Sequence, residues 1–213
     1  MFIDKQPKET VELYTKLLFG IASLSKLFSD DAIPYLPYRT IERSFCYAFK
    51  AEDLSRKDIA IDALKLDVGV GIKTFMQLSK NVSSQKVAEF NTNSATLINL
   101  PAKKKVENIV AWKNQRVQET IDMYEINSLI YHCVIRDAGI IKIYEYPMDK
   151  IDINTLKITK QTKTGIFFQD NLNKYRYYES KSVLLKEFNL ATPLLTLQVN
   201  MIDDPLKLLA SLK

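Results

Sequence analysis

Between Asp58 and Asn91, apolar side chains recur at every second residue in three short runs, and this alternation restricts the fold more than any other feature of the chain. A period of two suits a strand with one buried face, whereas an amphipathic helix repeats every 3.6 residues. "DIAIDA" puts Ile59 and Ile61 on one face and Asp58, Ala60 and Asp62 on the other. "DVGVGIKTF" opposes Val68, Val70 and Ile72 to Gly69, Gly71, Lys73 and Phe75. "QKVAEFN" places Val87, Glu89 and Asn91 together. These runs are expected to form an antiparallel meander, with a loop or short helical turn over "MQLSKNVSS" between the second and third.

Helical spacing surrounds the alternating segment. Val11, Tyr14, Leu17, Leu18, Ile21, Leu24 and Phe28 form one stripe, and Ile41, Phe45 and Phe49 form another within a helix over Tyr38 to Lys50. "SDDAIPYLPY" separates the two. A long amphipathic helix is expected from Pro101 to about Ile126, with proline near its first turn. Hairpins follow, turning at Asp137-Ala138-Gly139 and at Asp170-Asn171. "SVLLKEF" and "PLLTLQVNM" add strands, and "DDPLKLLASLK" closes with a short helix. The expected class is α+β: a mixed sheet flanked by helices, with additional β-hairpins in the C-terminal half. Residues 1–130 would form a core, and 131–213 a β-rich continuation or small subdomain.

Composition narrows the function classes. No stretch approaches the roughly 18 apolar residues of a membrane helix, and "MFIDKQPKETVELY" is too polar for a secretory signal. Two isolated thiols, Cys46 and Cys133, give neither a disulfide framework nor a CxxC metal site, which fits a reducing cytoplasm. The net charge of +5 suits a polyanionic partner such as nucleic acid.

Phosphodiester hydrolysis needs a divalent cation to lower the pKa of a water and neutralise phosphate oxygens. Magnesium takes hard oxygen ligands, so carboxylates must converge from neighbouring strands. A lysine beside them stabilises the developing charge. Asp58 and Asp62 on the first strand, Lys73 on the second and Glu89 at the end of the third supply these groups. Gly69 and Gly71 share the face of Lys73 and would leave a trough for substrate.

"PYLPYRTIERSFCYAF", "LSRKDIAIDA", "GVGIKTF" and "KVAEFN" together resemble the N-terminal region of a family of type II restriction endonucleases, whose nuclease core is similar to the PD-(D/E)xK superfamily. The likeness spans roughly Pro34 to Asn91 and continues more weakly in "YHCVIRDAGIIKIYEYPMDKIDI". It implies a restriction-endonuclease-like sheet, Asp62 as first metal-binding acid, Lys73 as catalytic lysine and Glu42 as an additional acid on the preceding helix. Gly71 stands two residues before Lys73, where the pattern has an acid, so Glu89 is the candidate second ligand; in another reading Glu89 leads the motif and Asn91 replaces its lysine. The expected Mg²⁺ ligands are Asp62 and Glu89, with Asp58 as a further candidate; the resemblance implies double-stranded DNA as substrate, and cutting both strands calls for two sites, hence a homodimer. It further implies a specificity domain beyond Lys213 or in a separate chain.

Lys103, Lys104, Lys105, Lys113 and Arg116 on the long helix are candidate phosphate contacts, although cations at a helix start are electrostatically unfavourable. Trp112, Tyr175, Tyr177 and Tyr178 have the shape to stack on bases, but half-exposed strand tyrosines are common without that role. His132, the only histidine, leaves no His-based catalytic pair and is expected on a half-buried strand. The functional expectation is a magnesium-dependent, site-specific DNA endonuclease or its catalytic fragment. The alternative is a non-catalytic DNA-binding or assembly subunit of a restriction-modification system.

Overall fold

A computed structural model of the chain describes residues 1–77 and 81–211. Helices α1 (Lys8–Ser23) and α2 (Tyr38–Phe49) precede strands β1 (Glu52–Asp53), β2 (Ala63–Lys65), β3 (Val68–Met76) and β4 (Val82–Glu89). Helices α3 (Ser94–Leu97) and α4 (Ala102–Tyr124) lead into the hairpin of β5 (Ser128–Asp137) and β6 (Ile140–Pro147). Next come β7 (Lys157–Thr162), β8 (Gly165–Gln169), β9 (Lys174–Tyr178), β10 (Val183–Asn189), β11 (Leu195–Gln198) and α5 (Pro205–Ser211). The class is α+β, with one mixed and one antiparallel sheet.

The chain divides into two interleaved compact units rather than at a boundary near residue 130. Unit 1 holds Met1–Leu78, Tyr124–Met148 and Thr192–Lys213; unit 2 holds Ser79–Met123 and Asp149–Ala191. Unit 1 carries a six-stranded sheet ordered β1-β2-β3-β5-β6-β11, in which β3 and β5 run parallel and the remaining pairs antiparallel. Unit 2 carries the antiparallel sheet β4-β10-β9-β8-β7.

Both expected hairpins form. β5 and β6 turn through Ala138-Gly139, where Gly139 takes a φ of +64° that a side chain would disfavour. β8 and β9 turn at Asp170, whose carboxylate accepts the Leu172 and Asn173 N–H groups at 2.9 and 2.6 Å.

The meander does not form. Residues 58–62 are bends and coil, and only Ala63–Lys65 pairs with β3. The third run, β4, belongs to unit 2 and pairs with β10. The second neighbour of β3 is instead β5, in register from Val68↔Ser128 to Met76↔Arg136. Alternation specifies a buried face but not the strand alongside. Of the loop expected over 76–84, Met76 ends β3 and Val82–Ser84 begin β4, while residues 78–80 lie outside the described residues. The terminal helix is described as far as Ser211, short of residues 212–213.

In unit 1, α1 and α2 cover one sheet face. Tyr14, Leu18, Ile41, Phe45 and Phe49 bury against Val70, Ile72, Val134, Ile141 and Ile143. In unit 2, Val106, Ile109 and Val110 of α4 bury against Ile166, Phe168, Tyr175, Tyr177 and Leu184. Full burial of each such side chain contributes about 1.5–3 kcal/mol, offset by the entropy of ordering it. Among the described residues, no helix is long and apolar enough to cross a membrane.

Candidate functional site

Strand β2 pairs with β3 only as far as Ala63↔Val70, and Asp62 stands at the end of that ladder. Its backbone N–H still donates to the Val70 carbonyl at 2.8 Å. Its side chain then turns back, and Oδ2 accepts the Ile72 N–H at 2.7 Å. A carboxylate thus takes over where a fourth residue pair would have formed, which stops β2 and holds the Asp62 side chain beside β3. The Lys73 ammonium lies 3.7 Å from the same oxygen, with the two side chains 26% and 22% exposed. They are reachable from water, and strong screening keeps such a pair's contribution to stability modest.

Helix α2 brings Glu42 to this place. Ile41, Phe45 and Phe49 anchor the helix in the core, and the adjacent stripe of Arg39, Glu42 and Cys46 lies one helical turn apart at each step. Arg39 donates from Nη1 to Glu42 Oε2 at 3.2 Å and grips both oxygens of Asp53 at 3.1 and 3.0 Å. Ser55 donates to Asp53 from its hydroxyl at 2.5 Å and from its backbone at 3.2 Å.

These neighbours set the protonation of each acid. Burial raises the Glu42 carboxyl above the usual range and the Asp62 charge adds to the rise, while Arg39 and the Ser55 hydroxyl partly offset both. Asp53 moves the other way. Its burial works against the ionised form, but hydrogen bonds from Ser55 and the Arg39 guanidinium outweigh it and hold the carboxyl low. Burial, with the charge of Asp53 next, pushes the Cys46 thiol up to about 12, so it is no nucleophile.

Of the expected residues, Asp62 and Lys73 therefore meet, and Glu42 lies within range of the Asp62 charge. Asp58 lies exposed in the bend and not on a strand. Glu89 lies in unit 2, where Lys86 donates to it at 2.7 Å and Asn91 also donates to it. The Lys86 hydrogen bond is the main cause that holds its carboxyl low. The Asp53–Arg39 pair was missed because its only sequence signal is an unremarkable acid before a turn.

The glycines do not open a trough. A Cβ on Gly71 would lie 2.5 Å from Met148 Cε and 3.3 Å from Tyr131, and one on Gly69 would lie 2.6 Å from Leu129 Cδ2. The space is filled by side chains of unit 1, so the glycines allow close packing of apolar groups onto β3.

The basic helix patch loses Lys113 to the core. Lys113 is only 4% exposed and donates to the Asp149 carbonyl at 3.3 Å. Burial, with Lys186 adding repulsion, drops its pKa to about 8. Lys105 pairs with Glu179 at 2.5 Å and Lys104 with Glu107 at 2.9 Å. Arg116 is half-buried, and Lys103 and Lys104 stay exposed at the start of the helix. An amphipathic helix buries one stripe whatever its charges, and Lys113 falls on the stripe of Ile109, Val110 and Val117.

His132 is fully buried rather than half-buried, and so is Glu145. Glu145 accepts the N–H groups of Phe2 at 2.6 Å and Ile3 at 3.2 Å, and lies 3.1 Å from His132 Nδ1. Because that carboxylate accepts, Nδ1 donates to it, and Nε2 lies 3.0 Å from the Tyr14 hydroxyl. Burial, then the charges of Glu145 and Cys46, hold the Tyr14 pKa well above its ordinary value and keep this hydroxyl neutral. The chain of bonds is sealed from solvent and joins the N-terminal turn to the sheet. Compared with protein-family models, curated proteins and solved structures, the sequence and fold give no match.

Proposed function

We propose that unit 1 carries the hydrolytic centre of a magnesium-dependent, site-specific double-stranded DNA endonuclease of the restriction class, built on a restriction-endonuclease-like mixed sheet. The observation that carries this reading is the Asp62–Lys73 pair where β2 ends, with Glu42 within range of the Asp62 charge. Glu42 takes the place of the second acid expected at Glu89.

The donor set fits a hard cation. The Asp62 charge raises the cost of ionising Glu42, and magnesium is commonly held by only one or two carboxylates together with water and substrate phosphate. Glu42 and Asp62 would hold it. When bound, it would supply an acidified water and charge neutralisation at the phosphate. The Ile72 N–H fixes the Asp62 carboxylate, and Arg39 restrains Glu42 against Asp53. Lys73 places a positive charge beside Asp62, aimed at negative charge that grows on the phosphate in the transition state. Cutting both strands calls for two such centres, hence a homodimer.

One observation favours the second reading, a non-catalytic DNA-binding or assembly subunit. Among the described residues no group of three or more His, Cys, Asp or Glu side chains is placed to hold a metal, and the cluster is already neutralised by Arg39 and Lys73.

Two measurements decide. Unmethylated phage DNA is incubated with the protein in magnesium or EDTA, alongside Lys73→Ala. Discrete magnesium-dependent fragments, reduced about 10²–10³-fold in the variant, support the centre. Thermal denaturation with magnesium should show a stabilisation that Glu42→Gln and Asp62→Asn abolish. Intact DNA under all conditions, with no magnesium-dependent shift, would transfer the case to the binding subunit.

A further inference from the structure

Unit 2 turns one sheet face toward α4 and leaves the other open, and the strand register assigns side chains to that open face. Lys86, Leu185, Arg176, Phe167 and Lys160 are successive cross-strand partners from β4 to β7. With strands about 4.8 Å apart, four gaps make this row about 19 Å long. A neighbouring row runs through Glu89, Val183, Tyr178, Gly165 and Thr162. On the other side, Lys174 and Lys157 both pair with Gln169, on the same face.

The Arg176 guanidinium sits over two rings, 4.9 Å from the centre of Phe167 and 4.7 Å from that of Tyr178. The ammonium of Lys181 lies 5.7 Å from the Tyr178 ring as well. Arg176 Nη2 donates to the Thr164 hydroxyl at 3.0 Å, but Nε has no hydrogen-bond partner among the described residues. Beside Arg176 is a depression of about 100 Å³, bordered by Ser84, Phe167, Lys174 and Glu187. Phe167, Arg176 and Tyr178 are half-buried, while Lys86, Lys157, Lys160 and Lys174 are exposed.

We infer that this open face is a binding platform for single-stranded nucleic acid. The strand residues of the face carry Lys86, Lys157, Lys160, Lys174 and Arg176 against two carboxylates, Glu89 and Glu187. Both carboxylates already pair with lysines, at 2.7 Å to Lys86 and 3.7 Å to Lys174. The excess positive charge complements a phosphate backbone. The planar ladder Phe167–Arg176–Tyr178 offers flat groups for unpaired bases, which a duplex keeps stacked inside. Lysines at both ends of the row, with planar groups between, suit a strand lying across the sheet.

This inference goes beyond the hydrolytic reading and does not depend on it, because binding is measured in EDTA. The probe is a fluorescein-labelled mixed-sequence 20-nucleotide single strand, read by anisotropy and compared with its duplex at several salt concentrations. Single-strand binding tighter than duplex binding is expected. Phe167→Leu, which keeps an apolar side chain but removes the ring, should weaken it about ten-fold or more. Lys86→Ala with Lys160→Ala changes only exposed side chains and should flatten the slope of log K against log salt by about 1.4, at about 0.7 per lost phosphate contact. Circular dichroism checks that both variants keep the wild-type fold. No single-strand binding, preference for the duplex, or affinity and salt slope unchanged in both folded variants would overturn the inference.

Discussion

Replacing Glu145 by Gln tests the buried anchor of unit 1 with little change of volume. The carboxylate accepts the Phe2 and Ile3 N–H groups and the protonated Nδ1 of His132. A hydrogen bond to a charged group contributes about 1.5–3 kcal/mol, and a neutral one about 1 kcal/mol. The amide would weaken each surviving bond, and its NH₂ group would confront a donor that now has no acceptor. A buried donor left in that state costs about 1–3 kcal/mol. The sum is about 3–5 kcal/mol, the range seen when one partner of a buried ionic pair is removed. For a chain of this size that corresponds to a fall in Tm of roughly 6–20 °C. Amide exchange gives the local readout, since Val70 and Val134 report unit 1 and the Phe2 and Ile3 amides report the anchor itself. Lost protection at Phe2 and Ile3, with reduced opening free energy at Val70, is the expected result. A variant within about 1 kcal/mol of wild type, with those two amides still protected, would refute the reasoning.

Gly71→Ala should destabilise unit 1 by only about 1 kcal/mol, because the Met148 methyl end can turn aside while the Tyr131 ring gives less; a loss of several kcal/mol in urea denaturation would mean that Met148 is held rigidly. Gly165→Ala should cost at least as much in unit 2, because its Cβ would lie 2.3 Å from the Tyr177 backbone oxygen, which cannot rotate away; amide exchange across β8 and β9 checks it. The raised carboxyl of Glu42 favours the protonated native state. Its contribution is therefore complete below the ordinary glutamate range and lost as pH rises through the raised value, and urea midpoints over a pH series should lose this component in Glu42→Gln. Lys113 has its pKa dropped from 10.5 to about 8, so the unfolded chain holds the extra proton between those values. Stability should rise by roughly 3 kcal/mol across that interval, and a Lys113→Met variant measured the same way should lack the rise.

Much of the local structure was legible from the residues in order. The stripe of Ile41, Phe45 and Phe49 placed α2, and Asp137-Ala138-Gly139 placed a hairpin because glycine readily takes the positive φ required there. Asp62 and Lys73 were legible as a pair because acids and a lysine flank consecutive apolar runs. Partners were not legible. β4 alternates as regularly as β3 yet pairs with β10, far along the chain, since period two says which side chains are buried and nothing about what buries them. Lys113 reads as one more cation of a basic helix, but the rotation of α4 in unit 2 puts it inside. Gly71 reads as an opening, and only the position of Met148, distant in sequence, shows that it is filled. Residue type and spacing thus determined the elements, their buried faces and the chemistry on offer. Tertiary structure decided which carboxylate lies within range of the Asp62 charge, because burial and electrostatic coupling depend on distances through space that order along the chain does not encode.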